Sequence, residues 1–439
     1  MGVQVAQLQQ QAVRPRWSIA SRIAFRFSLV YFGLFCLANQ IITSLVPLPN
    51  VDIPDPASFR PISTVVLWTE AHVLRIAHPI PWAETGSGDR IFDWATTFCL
   101  LIVSVFATAL WSILDRKRQN YSTLYKWFLL FIRFALAGQM ISYGMNKAFP
   151  LQMPFPFLTT LLEPYRNLSP MGVLWSSIGA SQAYEIFAGC AELLGGIMLI
   201  FPRTAMLGAL VCLVDMIQVF MLNMTYDVPV KLLSFHLILL SLYLLTPEVR
   251  RLADFLFSGR AVGPSAQPQL FVTRRANRIG LAAQIVFGIW LLGMNVWSAQ
   301  ASWRLYGGGS AKSALYGIWD VEELSIDGQT RSPLVTDYGR WRRLVFDFPT
   351  NIAFQRMDDS FAWYGASIDT KAGTVALTKG GDKNWRGILA FQRPASDELI
   401  LDGTMGSQKV HMRLQLVDRS KFMLVRRGFH WVSEFPFNR

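Results

Sequence analysis

The stretch IFDWATTFCLLIVSVFATALWSIL, residues 91–114, carries one ionisable side chain, Asp93, near its start, and is otherwise apolar or weakly polar. A helix that crosses a bilayer needs about 20 mostly apolar residues, so this stretch decides for a membrane protein. Working outward, six more stretches qualify: Ile23–Leu45, Trp127–Met145, Ser176–Phe201, Ala205–Leu222, Pro229–Leu245 and Ile279–Ser298. The sixth in chain order, Pro229–Leu245, is short for a span and reads as partly re-entrant. Seven spans account for a composition in which 52% of 439 residues are hydrophobic and 16% charged, against roughly 25% charged in an average soluble domain.

The net charge is +12. No RNA-binding module or DNA-reading helix motif accompanies it, so nucleic acid is not the expected partner. Lys and Arg instead gather in alternate connections. Arg14, Arg16 and Arg22 precede the first span; Arg116, Lys117, Arg118 and Lys126 lie between the second and third. Arg203 follows the fourth, and Arg250, Arg251, Arg260, Arg274, Arg275 and Arg278 follow the sixth. Excess Lys and Arg mark cytoplasmic loops. The expected placement is a bacterial inner membrane, with the N-terminus in the cytoplasm and the C-terminal region outside. The first apolar run is too long for a signal peptide and lacks a small-residue cleavage site, so it reads as a retained span.

The domain boundaries follow: a cytoplasmic segment, 1–22; two spans with an outer loop, 23–125; a four-span core, 126–258; a cytoplasmic loop and the seventh span, 259–300; a linker, 301–315; and an exported domain, 316–439. The Pro-rich outer loop contains helical spacing over Ile62–Ile76, expected to lie flat on the membrane. A second outer segment, Phe149–Met171, is expected to cover the mouth of the bundle with Leu158–Leu162. Beyond Gly307–Ser310, short alternating runs read as strands: Gly317–Leu324, Trp341–Phe348, Ile352–Met357, Phe361–Ile368, Thr374–Thr378, Trp385–Gln392, Glu398–Leu401, Lys409–Leu416 and Phe422–Val425. Turn signals such as Ile326-Asp327-Gly328 separate them. They predict a small antiparallel barrel or sandwich, with a filled core as the commoner form of so small a barrel.

Ionisable residues inside spans are costly and face a bundle interior or a cavity. Here they collect in spans three to six: Arg133 and Lys147, Glu185 and Glu192, Asp215, and Lys231 with His236. Arg133, Ala137, Met140, Gly144 and Lys147 share one helix face, about 21 Å end to end. Glu185 and Glu192, seven apart, share another, among small residues that admit a second backbone. Two accounts stand. In one these groups form a polar pocket that carries protons or binds a polar ring. In the other they are charge pairs that fix helix register. Asp227 and Lys231, four apart on an outer connection, read either as a salt-bridged turn or as part of a pocket with Lys147 and Asn223.

Other chemistries lack their residues. The four cysteines, Cys36, Cys99, Cys190 and Cys212, lie in spans without a CxxC pair, which argues against disulfide exchange. One histidine in a span does not make a bis-histidine haem site. His72 and His78 have no companions at zinc-ligand spacing, and His411 and His430 read as strand residues. No nucleotide fingerprint or serine-hydrolase elbow is present. No haem, metal or nucleotide is therefore expected.

The region from Arg133 to Phe257 resembles the DoxX-like family. The resemblance rests on Gly144-Met-Asn-Lys147-Ala-Phe-Pro150, on Glu192-Leu-Leu-Gly195-Gly196, on Pro202-Arg203 with Gly208-Ala209 after it, and on the run from Met221 to His236. The tail from Arg427 to Arg439 resembles the end of larger DoxX-like proteins with an exported β-domain. The three extra spans and the long outer loops depart from the minimal family pattern. The resemblance implies a four-helix membrane core; some relatives are the membrane subunit of a thiosulfate:quinone oxidoreductase, and others accompany redox enzymes or maturation systems. It implies a quinone as cofactor; combined with the ionisable residues inside the spans, the expectation is that Glu185, Glu192, Asp215 and His236 handle protons and that Arg133, Lys147, Asn223, Asp227 and Lys231 line the site. The β-domain would meet an exported redox or maturation partner. The rival functions are a non-catalytic scaffold or assembly factor docking through the β-domain, and a small-solute transporter.

Overall fold

The computed structural model describes residues 16–48, 54, 56–263 and 269–438. Arg14 and Arg439, which enter the sequence readings, lie outside the described residues. The chain divides into two units, one of residues 1–149 and 186–301 and one of residues 150–185 and 302–439.

Among the described residues, seven helical segments are long and apolar enough to cross a membrane, and the protein is a multi-pass membrane protein. In the first unit, α1 (Ile19–Leu37) ends at Ala38, and Asn39 caps a short α2 (Gln40–Leu45) by accepting from Ile41 N–H. The expected span Ile23–Leu45 is thus two helices, because the Asn39 side chain competes for backbone donors and starts a new helix. The span also begins before Arg22, so Arg22 and Arg26 belong to it. The helix α3 (Arg60–His72) packs on α4 (Ile91–Leu114) through Val66, with Ala57, Phe92 and Ala95. Its expected continuation to Ile76 stops at Val73, and Glu70 and Thr69 are buried along with Val66. One side of the helix is thus packed, while Ile62, Val65 and Trp68 on the other are exposed.

The central helix is α5 (Ser122–Ala148), buried at every position from Ile132 to Ile141. The next span begins at Gln182, later than the expected Ser176, because the chain breaks at Ala180 and Ser181 between α6 (Pro170–Gly179) and α7 (Gln182–Ile200). Pro202-Arg203 turns the chain into α8 (Ala205–Thr225), which packs along α9 (Lys231–Leu245). Further helical turns carry α9 on to Ser258, giving a 28-residue helical segment whose apolar part is long enough to cross a membrane. That length is sufficient for a full crossing. The last span, α10 (Arg274–Leu305), runs well past the expected Ser298. Phe106, Leu110 and Leu114 on α4, and Val214 and Ile217 on α8, are exposed and are surfaces for hydrocarbon rather than water.

The second unit is built on antiparallel strands β1 (Gly317–Ile326), β2 (Gln329–Thr330), β3 (Trp341–Phe346), β4 (Asn351–Arg356), β5 (Phe361–Asp369), β6 (Thr374–Lys379), β7 (Asp382–Ala395), β8 (Glu398–Met405) and β9 (Gln408–Leu416). β9 pairs back onto β1, from Trp319 opposite Leu416 to Ile326 opposite Val410. β2 pairs only with the end of β1, so the other eight strands close a barrel. Asp327 and Gly328, with φ of 51° and 79°, supply the two positive φ angles that a tight hairpin turn requires. Trp319, Leu324, Leu344, Phe346, Phe354, Leu401 and Met412 fill the interior.

The expected strand over Phe422–Val425 is helical. Asp418 accepts from Ser420 N–H to start one short turn, and Met423–Arg426 forms another. The expected linker is likewise ordered, with Gly307 and Gly309 folded tightly against Trp303. Leu158, expected over the bundle, packs instead with Ile318, Val345 and Ala353 of the barrel unit. There Leu158 N–H donates to the Asp347 carboxylate at 2.8 Å.

Candidate functional site

The strongest polar contact inside the helical unit joins Lys147 of α5 to Glu192 of α7. Lys147 Nζ donates to Glu192 Oε1 at 2.5 Å, with the two side chains 7% and 2% exposed. Small residues make this pair. A Cβ on Gly144 would lie 2.8 Å from Gly189 O and from Leu193 N, and one on Gly189 would lie 2.6 Å from Ala148 N and Gly144 O. The two backbones therefore touch at the glycines, and the longer side chains one turn away on each helix are brought together.

On the other side of α7, a Cβ on Gly195 would lie 2.7 Å from Cys212 Sγ. That crossing brings α8 close, and Asp215, one turn beyond Cys212, comes within electrostatic reach of both Glu192 and Lys147. Glu192 Oε2 and Asp215 Oδ2 are buried without a hydrogen-bond partner among the described residues. The order Lys147, Glu192, Asp215 thus leaves acceptor capacity unspent inside the helical unit. Tyr143, one turn before Lys147, accepts from Gln40 Nε2 at 2.8 Å and presents its ring 5.8 Å from Lys147 Nζ.

The remaining expected site residues have other partners. His236 Nδ1 lies 2.7 Å from Leu232 O, which only accepts, so Nδ1 carries a proton there. In the neutral ring Nε2 then accepts from the Tyr31 hydroxyl at 2.8 Å, and the ring stacks on Phe35 with centroids 3.6 Å apart. This is a satisfied core histidine. Lys231 pairs with Asp227 at 2.8 Å and approaches Asp89 at 3.8 Å. The Asp89 carboxylate also caps α9, accepting from Lys231 N–H and Leu232 N–H at 2.7 and 2.9 Å. Asn223 donates to Ser234 Oγ at 3.0 Å and holds the α8–α9 hairpin. Of the two accounts of Asp227, Asn223 and Lys231, the salt-bridged turn describes the geometry. Glu185 belongs to the second unit, where it accepts from Met153 N–H at 2.8 Å. Arg133 donates to Gln284 of α10 and has no carboxylate partner among the described residues.

Arg26, in the first span, is a buried polar centre that the charge pattern of spans three to six does not reveal. Its guanidinium donates to the Tyr121 hydroxyl through Nε and Nη2, to Ser112 Oγ and to Asp115 O. Tyr121 in turn donates to Asp115 Oδ2 at 2.7 Å and lowers that carboxyl's pKa. The signal for it in the sequence is the charge itself, an arginine within an apolar run. Asp89, in a loop, gives no such signal.

The fold and these sites define a multi-pass membrane protein with an apolar helical part and a closed antiparallel β-barrel. No family model matches the chain, and no solved structure matches it. It is 34% identical over 119 residues to the uncharacterized protein YwoB of Bacillus subtilis (strain 168), across 27% of this chain and 75% of that protein. The chain belongs to the same family as YwoB.

Proposed function

We propose that the protein is the quinone-linked membrane subunit of an oxidoreductase, a member of the DoxX-like group that carries its own exported β-domain. The observation that carries this reading is the position of Asp215. It is the eleventh of 21 residues in α8, only partly buried, with Val214 and Ile217 beside it exposed to hydrocarbon. The helix face beside this carboxylate is open to a substrate dissolved in the bilayer, although Oδ2 itself is buried. The residue set suits a quinone substrate: an ammonium to donate to a ring oxygen, a carboxylate to exchange a proton with it, and apolar walls.

Reduction of a quinone to its quinol takes up two electrons and two protons. The electrons come from a donor protein outside the membrane. Lys147, paired with Glu192, orients a ring oxygen, while Asp215 exchanges protons with it. The excess of Lys and Arg in alternate connections supports an orientation with the N-terminus in the cytoplasm and the β-barrel outside, in a bacterial inner membrane. A rival role as a docking or assembly factor draws on one feature, the exposed Phe429, Trp431, Val432 and Phe435 of the C-terminal tail, which suit an exported partner protein.

The test is extraction of the protein, purified in mild detergent, and quantitation of bound quinone by mass spectrometry. About one quinone per chain is expected, falling to background in Asp215→Asn protein of equal yield. Quinone no higher than in an unrelated membrane protein overturns the redox reading, and a stoichiometric partner lost on removal of residues 427–439 then supports the docking role.

A further inference from the structure

Within the helical unit, a cavity of about 1140 Å³ opens among the ends of α5, α8, α9 and α10. Six basic residues line it, Lys126, Arg133, Arg203, Arg250, Arg251 and Arg278, against two acidic ones, Glu248 and Asp254. Glu248 is engaged by Arg251 at 2.9 Å. Arg133, Arg203, Arg250 and Arg278 form no ion pair among the described residues. The deepest of them is Arg133, 8% exposed, whose Nε is buried without an acceptor. Its one hydrogen bond is to the neutral Gln284 side chain.

A buried guanidinium without a counter-charge is unfavourable inside a membrane protein, and nothing in the described chain neutralises this one. The compensating anion must come from outside. The cavity states what kind of anion. It is larger than the roughly 300–1,000 Å³ of ordinary small-molecule pockets, and its walls join the basic rim to apolar Leu129, Leu130, Leu281 and Ile285. Planar, multiply donating arginines match phosphate oxygens, and basic pockets between membrane helices receive anionic headgroups.

We propose that this cavity binds an anionic phospholipid, with the phosphate on Arg133 and the rim arginines and the acyl chains along the leucine wall. The site is separate from the Lys147–Glu192 pair and does not depend on the quinone reading. The lipid completes the charge balance of α5 and α10 and ties both to the loop after α9.

The test uses the full-length protein, delipidated in neutral detergent, with binding measured by native mass spectrometry and by thermal shift. The probes are phosphatidylglycerol, phosphatidylcholine and inorganic phosphate. Phosphatidylglycerol is expected to bind and raise the melting temperature, while the other two do not. Arg133→Gln should weaken that binding by about tenfold or more, the scale of one lost charge-assisted contact. Should Arg133→Gln fail to fold, Arg278→Gln on the rim should weaken it several-fold. Lys117→Gln, an exposed basic residue that does not line the cavity, should leave binding unchanged. Equal binding of phosphatidylcholine, or an equal loss in Lys117→Gln, overturns the proposal. Phosphate alone matching the lipid also overturns it, in favour of a soluble anion.

Discussion

Removing either partner of the Lys147–Glu192 pair should cost far more than removing both. The pair is 2.5 Å long and almost fully buried. In Lys147→Met, Glu192 remains as a buried carboxylate; in Glu192→Gln, Lys147 remains as a buried ammonium. Breaking a buried pair from one side costs about 3–5 kcal/mol, whereas replacing both partners by neutral groups of similar volume is close to neutral. With singles near the low end, about 3 kcal/mol each, and a double variant at about 1 kcal/mol, the coupling is about 5 kcal/mol. Close charge pairs measured by double-mutant cycles span about 1.5–7 kcal/mol. The assay is reversible unfolding in mixed micelles, followed by tryptophan fluorescence, for the wild type, both singles and the double. Single-variant costs that add in the double to within about 0.5 kcal/mol would mean the groups do not interact, and α5 would then not be joined to α7 through these two side chains.

The helix contact that makes the pair is testable through its glycine. Gly189→Ala places a methyl against backbone of α5 on two sides, so it should cost about 1–3 kcal/mol and also shrink the Lys147–Glu192 coupling in the same assay. Burial pushes the Glu70 carboxyl of α3 up from the ordinary range, against an opposing contribution from the Ile80 backbone. Its proton is then held in the folded state after the unfolded chain has lost it, so stability falls as pH rises through that raised value. Glu70→Gln should flatten the fall above the ordinary carboxylate range, and thermal unfolding across a pH series checks it; an unchanged slope rules Glu70 out as its source. In the barrel, Trp319 is fully buried and its indole N–H donates to Leu315 O at 2.9 Å. Trp319→Ala should cost about 3–5 kcal/mol, read as loss of the barrel's near-ultraviolet dichroism at lower temperature than in the wild type.

The architecture was legible because its signals are long. Twenty apolar residues in a row, or alternation between turn residues, impose a span or a strand with little dependence on distant contacts. The misread ends were decided by single side chains. Asn39 caps a helix inside the first apolar run, and Asp418 starts the turn Arg419–Lys421 that leads into the helical turn where Phe422–Val425 alternates like a strand. Hydropathy does not resolve such competition, because a cap acts through one hydrogen bond. The assignment of Leu158 failed for a related reason. A leucine in a Pro-rich segment announces that it will be buried, but its partners on β1, β3 and β4 are set by the barrel's register.

The site was legible as a set of charges and illegible as a set of pairs. One helix face carries both Arg133 and Lys147, and nothing local says which meets Glu192; the glycine crossing at Gly144 and Gly189 decides it. Partners then separate structural groups from the rest. Lys231, Asp227, Asn223 and His236 have their hydrogen bonds met, which suffices to account for them. Asp215 does not fit that account. A carboxylate at the centre of a spanning helix costs about 2.5–3.5 kcal/mol, and its buried Oδ2 has no hydrogen bond among the described residues to offset the cost. If Asp215 only fixed register, Asp215→Leu would destabilise the bundle. If the carboxylate is kept for proton exchange at the lipid boundary, Asp215→Leu should gain about 2 kcal/mol in micelle unfolding while bound quinone is lost. A stabilised protein that keeps its quinone would refute the role given to Asp215, because the carboxylate would then serve neither stability nor binding.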